Sequence, residues 1–267
     1  MKITISLAQI NVLSGNPKGN IIHAESFIKE AKKRQSILLC LPEMWTTGFN
    51  WQYLINNYED HNYFLKEVSS LVREYKIWLY GSMPFFNDKK RLVNAGILFN
   101  PEGSIFYQYN KIHLFSLMDE DKYLDRGERL EVIDTGFAKL GLSICYDLRF
   151  PELFRTYALK GAEIILIVAA FPHPRLEHWK VLTKARAIEN QLFIVALNRV
   201  GREISSDGKE ISFFGNSTII NPWGNVVIEA EVDKEELLTA EIDTDYIKEV
   251  RNYLKVFPDR RDDLYEL

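Results

Sequence analysis

The chain has 267 residues, 46% hydrophobic and 26% charged, with a formal net charge of −4. That length can bury a sizeable core as one large domain or two small ones, and a negative balance gives no basis for binding nucleic acid through its phosphates. The longest apolar run, residues 164–171, is far short of the ~20 residues that span a bilayer. The N-terminal Met1-Lys2-Ile3-Thr4-Ile5 lacks the apolar core and cleavage site of a secretory signal. Only Cys40 and Cys145 carry thiols, which indicates no disulfide framework and fits the cytoplasm.

Residues 2–10 read as a strand rich in β-branched side chains. Asn16-Pro17 supplies a cap and a proline at a first helical position, and residues 20–33 follow with helical spacing. The basic cluster at 29–34 is the solvated face of that helix. Residues 36–41 are a short apolar run, as in a strand buried on both faces, ending at Pro42-Glu43. Residues 63–75 predict a helix and 77–80 a strand. Strands at 92–99 and 105–109 flank the turn Asn100-Pro101-Glu102-Gly103. Residues 111–129 read as a long loop, and such loops tend to be functional.

Residues 139–145 are again an apolar strand, followed by a helix at 151–159, a strand at 163–169, a helix at 178–190 and a strand at 192–198. A hairpin of 214–220 and 226–230 turns at Asn221-Pro222-Trp223-Gly224. A last strand at 237–242 leads to a helix capped by Asp243 and running to about Tyr253, with a tail from about residue 254. No repeat or low-complexity linker splits the chain. Strands alternate with helices but also pair as hairpins, so the expectation is one α/β domain over residues 1–267 with mixed, layered sheets.

Three settings invite chemistry. In Leu41-Pro42-Glu43-Met44-Trp45 a carboxylate follows an apolar strand, where α/β sheets place ligands and apolar neighbours favour proton transfer. An exposed glutamate after a strand is the plainer alternative. In Tyr109-Asn110-Lys111-Ile112-His113-Leu114-Phe115 the lysine either snorkels to water or presents a fixed ammonium to a negative oxygen. In Ile144-Cys145-Tyr146-Asp147-Leu148-Arg149-Phe150-Pro151-Glu152 a cysteine ends a strand and precedes a helix. Hydrolases expose a nucleophile in that context, although a buried cysteine is also a common core residue. Cys40, mid-strand and without polar neighbours, reads as core. His173 and His178 are five apart, so they do not make a helical metal face, and no nucleotide-binding glycine motif occurs; neither metal nor cofactor is implied.

Taken together, the three segments resemble the nitrilase superfamily of carbon–nitrogen hydrolases. The likeness extends to Ala8-Gln9, to Lys184-Ala185-Arg186-Ala187-Ile188-Glu189-Asn190 and to the stretch from Gly215 to Gly224, nearly the whole chain. The resemblance implies a four-layer α-β-β-α sandwich, no metal, and a homodimer paired through outer helices. It further implies Glu43 as base, Lys111 as oxyanion partner, Cys145 as nucleophile, and a second active-site glutamate between that lysine and cysteine, judged by its spacing before Gly127. Glu120 fits that position best, with Glu128 as rival. Cys145–Glu152 and the ending Asp263-Leu264-Tyr265 look most like the omega-amidase branch, which hydrolyses the side-chain amide of 2-oxoglutaramate and related mono-amides. The backbone N–H of Tyr146 would join Lys111 at the oxyanion. Arg149 and Arg175 are candidates for the distal carboxylate, with Phe171 as an apolar wall. Arg149 has the alternative of a surface pair with Glu152, and Arg175 of a solvated charge. Two further readings stay open: an N-carbamoyl, nitrile or other aliphatic amide substrate on the same triad, and an idle binding module that keeps only the fold.

Overall fold

The computed structural model describes residues 1–57, 59–205 and 208–265. From the N-terminus run β1 (Lys2–Gln9), α1 (Pro17–Lys33), β2 (Leu38–Cys40), α2 (Trp51–Asn56), α3 (Asp60–Tyr75), β3 (Trp78–Phe86), β4 (Leu92–Phe99) and β5 (Ile105–Asn110). After the short α4 (Glu120–Tyr123) come β6 (Ile133–Asp134), β7 (Lys139–Ile144), α5 (Pro151–Leu159), β8 (Ile164–Ala169), α6 (Leu176–Asn190) and β9 (Phe193–Asn198). The chain continues through β10 (Val200–Ile204), β11 (Glu210–Phe214), β12 (Thr218–Ile220), β13 (Val226–Glu229), β14 (Glu236–Asp243) and α7 (Asp245–Tyr253).

Two six-stranded mixed sheets carry the molecule, in the orders β14-β1-β2-β3-β4-β5 and β13-β12-β9-β8-β7-β6. In the first, β1, β2 and β3 are parallel and β14, β4 and β5 join antiparallel. In the second, β7, β8 and β9 are parallel and the outer strands antiparallel. The period-2 alternation of strands explains the layers. Ile3, Ile5 and Leu7 of β1 face a core shared with Leu140, Leu142 and Ile144 of the second sheet. Ala8, Leu39, Leu79 and Ile97 point the other way, against Ala24 and Ile28 of α1 and Val68 and Val72 of α3. Phe154 and Tyr157 of α5 and Trp179 and Ala187 of α6 cover the second sheet. Every residue of β8 is therefore buried, as its unbroken Ile-Ile-Leu-Ile-Val-Ala predicts. This is the expected α-β-β-α sandwich.

Local chemistry sets most boundaries. Asn16 accepts a hydrogen bond from the Gly19 N–H at the start of α1, and Pro17 occupies its first turn. Several expectations need correction. The strand read at 214–220 is two strands in different sheets, broken at Gly215, whose φ is +70°. The small hairpin β10–β11 and helix α2 carry no strong period and were not foreseen. The loop at 111–129 contains a 3-10 turn (Ser116–Met118) and α4. The last helix has Thr244 at its cap position; Asp243 instead accepts from the Asp245 N–H at 3.1 Å and pairs with the N-terminal ammonium at 3.1 Å.

Candidate active site

Glu43, Lys111 and Cys145 leave the C-terminal ends of β2, β5 and β7, the sheet rim where α/β folds gather ligands. All three are buried. Lys111 is held from two sides. Its Nζ donates to Glu43 Oε1 at 2.7 Å and to both Glu120 oxygens at 2.8 Å. Burial works against its charge, but the carboxylates of Glu120 and Glu43 outweigh that and hold the ammonium above its ordinary range. Glu43 Oε2 accepts the backbone N–H of Ala170 at 2.8 Å, just beyond β8. Glu120 also accepts from the Phe115 N–H at 2.7 Å. Burial pushes its carboxyl up, against the pull of Lys111. Glu128, by contrast, is exposed and pairs with Lys89 at 3.0 Å. Glu120 is thus the glutamate that meets the lysine.

Cys145 opens a 3-10 turn (Cys145–Arg149) with φ at +47°. A side chain in that region is thrown out of the line of β7, as in a nucleophile elbow. Burial pushes the thiol well above its ordinary range, the charge of Glu43 adds to this, and Lys111 opposes it. Cys40, also free, is raised by burial alone and faces the core between the sheets.

Two buried residues that the sequence reading passed over organise this centre. Asn94 of β4 donates its side-chain amide to Glu43 Oε1 at 2.9 Å and to Glu120 Oε1 at 3.3 Å. Asp147 accepts from the Tyr109 hydroxyl at 2.7 Å, the His113 N–H at 3.0 Å and the Ile144 N–H at 2.9 Å. It thereby pins the lysine segment to the cysteine turn. Each had a signal: a polar amide inside the apolar strand at 92–99, and an aspartate two residues after Cys145.

Around the sulfur's turn, Tyr146 packs on Phe115 and Phe150. Phe171 is buried, and its N–H donates to Asn198 Oδ1 at 2.7 Å. The Arg149 guanidinium lies over the Phe171 ring, 5.3 Å from its centroid, and 3.3 Å from His178 Nδ1. Arg175 lies over Phe115 at 5.8 Å. Among the described residues neither arginine has a carboxylate partner, so the surface pair of Arg149 with Glu152 is not formed. A cavity of about 510 Å³ lies between Phe49, Met118 and the β10–β11 hairpin, and Glu43, Lys111 and Cys145 do not line it. Among the described residues no cluster of three or more His, Cys, Asp or Glu is placed to hold a metal ion.

The carbon-nitrogen hydrolase family model matches residues 4–252. The chain belongs to that family. It is 39% identical to a 2-oxoglutaramate amidase of Bacillus subtilis, over 99% of this chain and 100% of the relative. It is 30% identical to the omega-amidase NIT2 of Homo sapiens, over 98% and 96% of the two chains. Its fold superimposes on the crystal structure of a carbon-nitrogen hydrolase from Helicobacter pylori G27 with a TM-score of 0.92 at 30% identity, covering 99% and 97% of the chains. The likeness read from the three motifs is borne out, and with it a carbon–nitrogen hydrolase acting on amides.

Proposed function

We propose that this hydrolase cleaves the terminal amide of a dicarboxylate mono-amide such as 2-oxoglutaramate, through a thioester on Cys145. The observation that carries the reading is the buried contact of Glu43, Lys111 and Glu120 beside the buried Cys145 thiol. Glu43 takes the thiol proton as sulfur attacks the amide carbon. The tetrahedral oxyanion is met by the Lys111 ammonium and the Tyr146 N–H, and losing one such donor costs about 3–4 kcal/mol of barrier. Glu43 passes its proton to the amide nitrogen, the C–N bond breaks and ammonia leaves. Water, deprotonated by the same carboxylate, attacks the thioester, and the acid departs as the thiol regains its proton. Glu120 and Asn94 keep Lys111 and Glu43 in place throughout.

Substrate choice rests on the two carboxylate-free guanidinium groups. Arg149 and Arg175 stand on aromatic walls, suited to a carboxylate at the far end of a short substrate with Phe171 against its methylenes. The names of the relatives point the same way. Ammonia release from 2-oxoglutaramate, compared with a neutral amide of equal length and an N-carbamoyl amino acid, tests this. Preference for the first supports the assignment; preference for the carbamoyl compound overturns it.

Two free thiols fit a reducing cytoplasm, and no helix among the described residues is long and apolar enough to cross a membrane. The partners of this reading are the amide and a second copy of the chain, and a net charge of −4 gives no basis for nucleic acid. Val181 and Ile188 on α6 are exposed, at 63% and 49%, as a homodimer paired through outer helices requires.

A further inference from the structure

We infer that the buried pair Arg199–Glu203 is a positioning device for the Glu43 carboxylate, acting on both of its flanks. Arg199 sits between β9 and β10, and Glu203 lies within β10. Both are buried, and Arg199 Nη1 donates to Glu203 Oε2 at 2.8 Å. The other carboxylate oxygen accepts the backbone N–H of Phe49 at 2.7 Å. Phe49 closes the turn that begins directly after Glu43, in which the Gly48 N–H donates to the Met44 carbonyl at 2.7 Å. Gly48 has φ +62° and packs on Glu203 so closely that a Cβ there would collide with Oε1. Glu203 is therefore the surface on which the turn rests.

The second flank is reached through Arg199. Its backbone N–H donates to the Ala169 carbonyl at 3.1 Å, and the next residue, Ala170, donates its N–H to Glu43 Oε2 at 2.8 Å. The guanidinium is fixed by the Val12 carbonyl at 2.5 Å and by the Phe213 ring, 4.4 Å away. One ion pair thus ties the turn after Glu43 to the strand end that hydrogen-bonds it.

The pair also balances charge. Burial lowers the Arg199 guanidinium from its ordinary value, while Glu203 and then Glu43 hold it up, so Glu43 is a further carboxylate within its field.

The inference rests on the proposed role of Glu43, and two variants test it. Glu203→Gln keeps an acceptor for the Phe49 N–H, so its kcat stays within a few-fold of wild type. The double variant Arg199→Met/Glu203→Leu removes both charges together, which avoids an unpaired buried charge, and loses the acceptor for Phe49. Its kcat falls roughly 10–100-fold, as for a misplaced catalytic group, with KM within a few-fold. Wild-type kcat in the double variant overturns the inference, as does a fall in Glu203→Gln as large as in the double variant. Glu43→Gln at full rate would instead remove Glu43 from the base role, so the two failures are distinct.

Discussion

Cys145 leaves β7 in a left-handed conformation that costs a non-glycine residue about 1–3 kcal/mol, and the fold sustains it at the position of the proposed nucleophile. The same position buries the thiol and sets it beside Glu43, and both burial and that carboxylate push the thiol up. Removing the negative charge of Glu43 while Lys111 remains must move the thiol down. In Glu43→Gln, the ultraviolet thiolate absorbance of Cys145 should rise at lower pH than in wild type, although turnover falls about 10²–10⁴-fold. An unchanged titration would contradict the contact. Arg149 offers a second prediction. A hydrogen-bonded charge contributes about 1.5–3 kcal/mol, so Arg149→Ala should raise KM for 2-oxoglutaramate roughly 10–100-fold and leave a neutral amide nearly unchanged. Steady-state kinetics on the two substrates decide it. At this scale the sequence was readable where side chains are unusual for their setting. Glu43 and Cys145 each follow an apolar strand, Lys111 stands among aromatic and aliphatic side chains, and Glu120 was preferred to Glu128 by its spacing before Gly127. Asn94 was not read, because a single amide inside a strand carries no period.

Elements bring these groups together by pairing order, which local patterns do not encode. The strand read at 92–99 was correct, yet nothing in it says that its neighbours are β3 and β5. The hairpin β10–β11 escaped notice because exposed and buried residues do not alternate cleanly along Val200–Ile204. Asp147 shows how elements are locked after pairing. It joins Tyr109 on β5, His113 beyond it and Ile144 on β7 across two sheets. Asp147→Ala leaves buried donors unsatisfied, at about 1–3 kcal/mol each. We expect urea unfolding to show a loss of about 3 kcal/mol or more, together with a fall in kcat as Lys111 and Cys145 lose registry. Unchanged stability would show that the tie is not structural.

Over the whole molecule, two sheets share one inner core, and β14 returns to pair with β1 along eight residues, from Lys2↔Asp243 to Gln9↔Glu236. Fold class was legible because buried parallel strands read as unbroken apolar runs and outer strands as hairpins. Their division between two sheets was not, as the break at Gly215 demonstrates. The proposed pairing through exposed Val181 and Ile188 predicts a dimer at micromolar concentration in sedimentation analysis, with Val181→Glu giving monomer. A monomeric wild type would remove the pairing through α6.

The central claim is acyl transfer to one sulfur. Rapid acid quenching of the enzyme during turnover of 2-oxoglutaramate, followed by mass spectrometry of its peptides, tests this most directly. The account predicts an acyl adduct on the peptide containing Cys145 and none on that containing Cys40. Turnover at full rate by Cys145→Ala in the same assay, with no adduct on either peptide, would contradict it.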